Sequence, residues 1–380
     1  MKIHLKVQNF AALRDIDFEI PEGTSALVGP TGSGKSSLLG VLEMLRHAFE
    51  RGLIAAVTHH FGGAAQIHCY DSPPDAEINL ELSVDNVHWS VSPWFSEGSI
   101  ERASSEELRV GGQIRLSREL LSQHATYRGK ELSLGDRLAI RAAADVHMAD
   151  TEIQTWVAFI KKYRVYRSYT YRLYDLMKFG SESTPDQWLH VNGLNAFTVL
   201  RNWFLQRQFR ARYDFVLESL RHIFSGYFQD FDFQMAGQTV TLQVFTSRWG
   251  ESPVQIARES TGFMMTFLSL CAVASGEPGG LIAIDEIENS LHPAAIERLL
   301  GCIRSYAREH DLSVMIATHS PVVLDQFRDT PSQILVMQPG TAPLPIRVDR
   351  LLPAEWLQQF SLGRLYTSLD FGAPRIPEAS

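Results

Sequence analysis

Residues 29 to 36 read Gly29-Pro30-Thr31-Gly32-Ser33-Gly34-Lys35-Ser36, the spacing G-x-x-x-x-G-K-S. Glycines in such a run let the backbone fold close around an anion and aim its N–H groups inward. Lys35 offers a charge to the β and γ phosphates, and the Ser36 hydroxyl is a ligand for Mg²⁺. A short apolar run, "SALVG", comes before the loop. After it, Leu38, Leu39, Val41, Leu42 and Leu45 recur at helical spacing. A glycine-rich turn alone is weak evidence. Strand, loop and helix in this order point to nucleotide binding.

The second chemical cluster is "LIAIDEIENSLHP", residues 281 to 293. Four apolar residues read as a buried strand, yet they run into Asp285 and Glu286, with Glu288 just beyond. Carboxylates do not enter cores without partners. A strand ending in an acid, set against a phosphate loop, is a usual way to hold Mg²⁺. Asp285 is then expected in the Mg²⁺ shell beside Ser36, and Glu286 is expected to polarise the attacking water. The plainer reading, two acids capping a strand end, is outweighed by their position about 250 residues after a phosphate loop. Further on comes "ATHSP", residues 317 to 321. His319, at a strand end past the acids, is placed to contact a γ-phosphate.

These groups need a scaffold. "KIHLKVQ" and "DIDFEI" alternate as strands, and "AEINLELSVDNVHWSVS" reads as a hairpin around Asp85 and Asn86. From about 104 to 225 the pattern is mostly helical and charged. The last third alternates strand and helix, which implies parallel strands with crossover helices. The expectation is an α/β head built from residues 1–100 and 226–380, with a mostly helical insertion, or lid, over 101–225.

The chain has 380 residues and a formal net charge of −8, with 45% hydrophobic residues. It lacks the roughly 18 uncharged apolar residues of a membrane span, and its first residues do not resemble a secretion signal. Cys69, Cys271 and Cys302 have no metal-ligand spacing and read as reduced thiols of a cytoplasmic protein.

Together "GPTGSGKSS", "LIAIDEIENSLHP" and "ATHSP" resemble an ABC-type ATPase head, a P-loop NTPase, of the branch containing the RecF, SMC and OLD (overcoming lysogenization defect) proteins. "LKVQNFAALRDIDFEI" is similar to that branch's first hairpin, "NGLNAFTVL" to an element after its lid, and "LGRLYTSLDFG" to the end of stand-alone members. The resemblance implies ATP and Mg²⁺, with Gly29 through Ser37 (Ser37 included) around the phosphates. It also implies a homodimer, or a higher oligomer of dimers, that sandwiches two ATP molecules. The signature segment that reaches across is matched by "RESTGFMMTFLSL", through Ser260 and Gly262. Ser260 also reads as a simple N-cap. The chain departs from the family pattern at Thr31 (usually Asn) and Ala11 (usually Arg, a role Arg14 could fill). Gln66 is the candidate glutamine loop. No stretch resembles the Toprim nuclease that many OLD proteins carry, so a separate effector is expected, in phage defence or DNA repair. An ATP-gated sensor or scaffold for a partner nuclease or toxin is the alternative. A transporter motor fits less well, given the long gap between motifs and the sparse signature.

"KKYRVYRSYTYRLY", residues 161 to 174, interleaves cations with tyrosines. Lys161, Lys162, Arg164, Arg167 and Arg172 offer contacts to nucleic-acid phosphates, with tyrosines to stack on bases. The bland alternative is a strand with Tyr inward and Arg snorkelling outward.

Overall fold

The computed structural model describes residues 2–369 apart from 64–65, 70–71, 74–75, 97–98, 121, 136, 249, 251 and 339–342. The tail resemblance at residues 370–372 lies outside the described residues.

The chain opens with the expected hairpin. β1 (Ile3–Phe10) and β2 (Leu13–Ile20) pair antiparallel, with Ile3, Leu5 and Val7 buried. β3 (Thr24–Val28) is buried throughout and leads into α1 (Lys35–Arg51). α2 (Leu53–Phe61) folds back after Gly52, whose φ of 92° suits glycine. β4 (Asn79–Val84) and β5 (Val87–Ser96) turn at Asp85 and Asn86, as the alternation predicts. β6 (Ser99–Val110), β7 (Gln113–Arg118), β8 (His124–Tyr127) and β9 (Lys130–Ser133) come next. They complete one eight-stranded sheet in the order β2-β1-β4-β5-β6-β7-β8-β9.

The helical reading of residues 104 to 133 is therefore corrected. A buried carboxyl group hid the alternation. Glu106, Leu108 and Val110 point inward, while Glu107 and Arg109 pair on the outer face. Glu106 occupies a core position because it collects donors: Trp89 Nε1 at 2.9 Å, Ala139 N at 2.6 Å and Ile140 N at 2.8 Å. Two of these are the free amides at the start of α3 (Ala139–Val146). Glu106→Ala strands all three donors and is expected to lower the unfolding free energy by about 3 kcal/mol. Glu106→Gln, which keeps an acceptor, should lose less. Urea denaturation of the two variants checks this.

Helices do fill most of the chain from 151 to 223: α4 (Thr151–Lys162), α5 (Leu173–Phe179), α6 (Ala196–Leu205) and α7 (Arg210–Ile223). Among them β10 (Arg164–Arg167) joins the central sheet. β11 (Ser181–Glu182), β12 (Phe228–Ala236), β13 (Thr239–Thr246) and β14 (Val254–Gln255) make a small antiparallel sheet. Then come α8 (Thr261–Ala274), β15 (Leu281–Asp285), α9 (Pro293–Glu309), β16 (Ser313–Thr318), α10 (Pro321–Asp325), β17 (Ile334–Val336) and β18 (Ile346–Arg347). α11 (Val348–Leu351), α12 (Ala354–Gln359) and α13 (Leu362–Leu369) close the described chain.

The central sheet has the order β10-β15-β16-β3-β17-β18, parallel except for β18. It divides the apolar interior in two. Leu27, Ala283, Met315 and Val165 face α1 to α4, whereas Ala26, Val28, Ile284, Ile316 and Tyr166 face α6 to α9. Burial on both faces explains the continuous apolar runs of the sequence. The segment 101–225 is thus no separate body. Its first part enters one core, β10 enters the sheet, and its later helices enter the other core.

Candidate nucleotide site

β3, β16 and β15 end at one edge of the sheet, the carboxyl edge where parallel sheets bind ligands. β16 separates the other two. Strands about 4.8 Å apart set β3 and β15 about 10 Å apart, room for a phosphoryl group and a cation.

The loop after β3 is clamped on both sides. A Cβ on Gly29 would lie 2.5 Å from Met337 O, and one on Gly34 would lie 2.7 Å from Leu13 Cδ2. Gly32 and Gly34 have φ of 82° and 95°, the left-handed region that glycine enters without strain. Pro30 and Thr31 complete the turn, and Ser36 and Ser37 open α1 behind Lys35. Lys35 is buried, and its Nζ donates to Gly29 O at 2.7 Å and Pro30 O at 3.1 Å. An ammonium has three donors, so one is left for a phosphate oxygen. Burial lowers the Lys35 pKa to about 8, against the opposing pull of Asp285, Glu286 and Glu288.

Ser36 Oγ donates to Asp285 Oδ2 at 3.2 Å, across 249 positions of sequence. Burial pushes the Asp285 carboxyl up, and the Ser36 hydroxyl pulls it back. A hydroxyl and a carboxylate side by side are the hard oxygen donors Mg²⁺ takes. Ser33 Oγ is buried with no hydrogen-bond partner among the described residues, and an anion in the loop would supply one. The residues present therefore fit a magnesium nucleotide.

Glu286 has a φ of 56°, unusual for a residue with a side chain. Such strain tends to sit at functional positions. Its Oε2 accepts from Asn289 Nδ2 at 2.8 Å and from Ser168 Oγ at 3.4 Å. Glu288 has a different task. Its Oε1 accepts from Thr318 Oγ1 at 2.6 Å and His319 N at 3.0 Å. That ties the end of β16 to the acidic turn and sets His319 beside the start of the loop, since Thr318 pairs with Val28. Burial lowers the His319 pKa, and the Lys35 charge adds to this.

Ser260 and Gly262 are not brought to this cluster. Ser260 is exposed and caps α8, its Oγ accepting from Phe263 N at 3.2 Å. A Cβ on Gly262 would lie 2.6 Å from Ser290 O, so α8 begins hard against the turn after the acids. Gln66 is exposed, and its neighbour Ile67 accepts from Ala11 N at 2.7 Å at the tip of the first hairpin. Arg14 is exposed on β2.

The basic-aromatic stretch does not lie on one element. It is split between the end of α4, β10, a short turn and α5. Tyr163 and Tyr166 point into the core, and Arg164 is buried, stacked on the Trp188 ring. Lys162 donates to Pro278 O, and Arg172 pairs with Asp175. Only Lys161 and Arg172 of the five cations are exposed. Arg167 turns inward instead. It stands in register with Asp285, binds Glu43 at 2.7 Å and donates to Ser36 O at 3.4 Å. Arg167, Ser168 and Asn289 thus belong to the site. Asn289 lay within the acidic motif, but nothing local in the sequence marks Arg167.

The sheet order, the loop and the paired acid define a P-loop NTPase with an ABC-type head. The chain belongs to the family described as "AAA domain, putative AbiEii toxin, Type IV TA system", whose profile matches residues 25–325. Among solved structures it is similar to an Smc head bound to the C-winged helix domain of ScpA. That match has a TM-score of 0.51 and 14% identity, covering 85% of this chain and 90% of that one. An Smc head with an extended coiled coil bound to the C-terminal domain of ScpA, from Pyrococcus furiosus, gives 0.46 and 12%, covering 92% and 96%. An SMC head domain from Thermotoga maritima gives 0.40 and 12%, covering 86% and 92%. No curated protein matches the chain. Among the described residues no helix is long and apolar enough to cross a membrane.

Proposed function

We propose that this chain is an OLD-like ATPase whose two copies close around two Mg-ATP molecules and whose product is a regulated contact with a separate effector. The observation that carries the reading is the Ser36–Asp285 contact. It joins two motifs 249 positions apart, with Lys35 buried beside it. Lys35 and the loop amides bind and orient the triphosphate. Ser36 and Asp285 would hold Mg²⁺, which when bound neutralises the developing charge on the phosphates. Glu286, kept in place by Asn289 and Ser168, accepts a proton from the attacking water. His319 meets the γ-phosphate from the end of β16.

The exposed N-terminus of α8 supports the dimer. Its first turn and the Ser260 hydroxyl suit a phosphate arriving from a partner copy, and the Gly262–Ser290 contact links that surface to the chain's own acidic turn. Ser260→Arg should leave monomer ATP binding intact and cut turnover at least tenfold at concentrations where the wild type dimerises. Steady-state hydrolysis against protein concentration measures this, and unchanged turnover places the signature elsewhere. The inward-facing Arg164 and Arg167 and the net charge of −8 favour a protein effector over direct action on nucleic acid. Its role is then in phage defence or repair through that effector. Added DNA should leave turnover unchanged at low salt. A salt-sensitive rise would restore the nucleic-acid reading.

A further inference from the structure

Behind the nucleotide site, on the far side of Arg167, three histidines converge. His47 lies on α1, and His59 and His60 lie near the end of α2. The turn at Gly52 folds α2 back so that two distant stretches of helix bring their imidazoles together. His60 Nε2 sits 2.6 Å from His47 Nδ1, and the His47 and His59 rings are stacked with centroids 5.5 Å apart. A ligand nitrogen from each of the three lies within 4.8 Å of the others. They line a cavity of about 360 Å³ together with Glu43, Arg46, Tyr169 and Arg167.

We propose that His47, His59 and His60 form a binding site for a zinc-class divalent ion, separate from the magnesium site at Ser36 and Asp285. Neutral imidazole is a ligand for zinc and its neighbours in the first transition row and a poor one for magnesium. Three imidazoles around one point, with a fourth position open to the cavity, is an arrangement that zinc accepts. Zinc–nitrogen bonds of about 2.0–2.1 Å in a tetrahedron imply ligand atoms about 3.3 Å apart. His47 and His60 stand closer than this, while His59, stacked on His47, is exposed. Closing the site therefore needs side-chain rotation and no change of fold.

A carboxylate stands near the second nitrogen of His60. With Nε2 of His60 turned to the cluster, its Nδ1 faces Glu43 Oε2 at 4.0 Å. Metal-bound histidines commonly give their second nitrogen to a carboxylate, which fixes the tautomer and ring. His60 and Glu43 are well covered, with side chains 13% and 16% exposed. The two nearby cations are already committed. Arg46 donates to Tyr163 O at 2.8 Å and pairs with Glu50, and Arg167 binds Glu43. Glu43 thus stands between the histidines and Arg167, which reaches the carbonyl of Ser36. An ion here ties the later part of the helix whose first turn holds the phosphates to α2. The site rests on its own geometry and does not depend on the ATPase reading.

The test uses the full chain without an affinity tag, stripped with a chelator and titrated with Co²⁺ and with Zn²⁺. The expected result is one ion per chain by elemental analysis, with visible d–d bands of four-coordinate cobalt that zinc displaces. His59→Ala, whose side chain is exposed and whose loss should spare the fold, should weaken zinc binding at least tenfold. His47→Ala and His60→Ala should abolish the cobalt bands. Glu43→Gln should weaken binding about tenfold, the range found for outer partners. Lys35→Ala, at the nucleotide site, should leave the cobalt spectrum unchanged. The proposal is overturned if the stripped protein takes up less than a tenth of an equivalent, or if His47→Ala and His59→Ala, shown to be folded by circular dichroism, bind zinc as the wild type does.

Discussion

Glu286→Gln should reduce ATP hydrolysis by about 10²–10⁴-fold, the usual worth of a positioned general base, while leaving ATP affinity nearly unchanged. Glutamine has the same shape and keeps an oxygen for Asn289 Nδ2, so the strained turn at φ 56° stays filled. What is lost is the basicity toward water. The bound state then persists, and a dimer should accumulate when ATP and Mg²⁺ are added. Single-turnover hydrolysis and size-exclusion chromatography of the same sample test both halves. A normal hydrolysis rate would show that another residue is the base. A slow rate with no dimer would keep Glu286 in its role and overturn the sandwich. The trapped protein is also the bait for the proposed effector.

Lys35→Ala should weaken ATP binding by two to three orders of magnitude. The reason is that removing a buried, hydrogen-bonded charge from its partner costs about 3–4 kcal/mol. Two of the three Lys35 donors already brace the loop through Gly29 O and Pro30 O. The substitution therefore loosens the cradle as well as removing the charge. Isothermal titration calorimetry at several pH values adds a sign test. In the free protein burial holds the Lys35 pKa at about 8, and a bound triphosphate raises it by favouring the ammonium. Above pH 8 the free side chain is mostly neutral and the bound one charged, so binding should take up protons there. Near pH 7 the ammonium is present in both states, and the uptake should fade. Buffers of different ionisation enthalpy read this directly, and Lys35→Ala should remove it. Proton release above pH 8 would contradict the assignment.

The loop from Gly29 to Ser36 is a local object. Its glycines, its lysine and the flanking strand and helix are neighbours in the chain, so spacing alone identifies it. The same holds for the first hairpin, for the turn at Asp85 and Asn86, and for the buried strand that ends at Asp285. Each is specified by residues a few positions apart, the range over which periodicity and turn chemistry act.

Residues 104 to 133 show how this fails. Glu106 occupies an inward position that alternation reserves for an apolar side chain. It can do so because Trp89 and, from more than 30 residues on, the α3 amides of Ala139 and Ile140 donate to it. The place of Arg167 is hidden for the same kind of reason. In sequence it is one cation among five beside tyrosines. In the fold, β10 pairs with β15 and sets it level with Asp285, where Glu43 captures it. The three histidines had no ligand spacing to announce them and meet only because Gly52 reverses the chain. The sequence by itself thus determined which groups can hold a phosphate and a cation, since that chemistry is written in contiguous residues. The tertiary structure decided which charges face those groups and which serve the core, because a charge is settled by the partner nearest in space, and strand order, not chain order, chooses that partner.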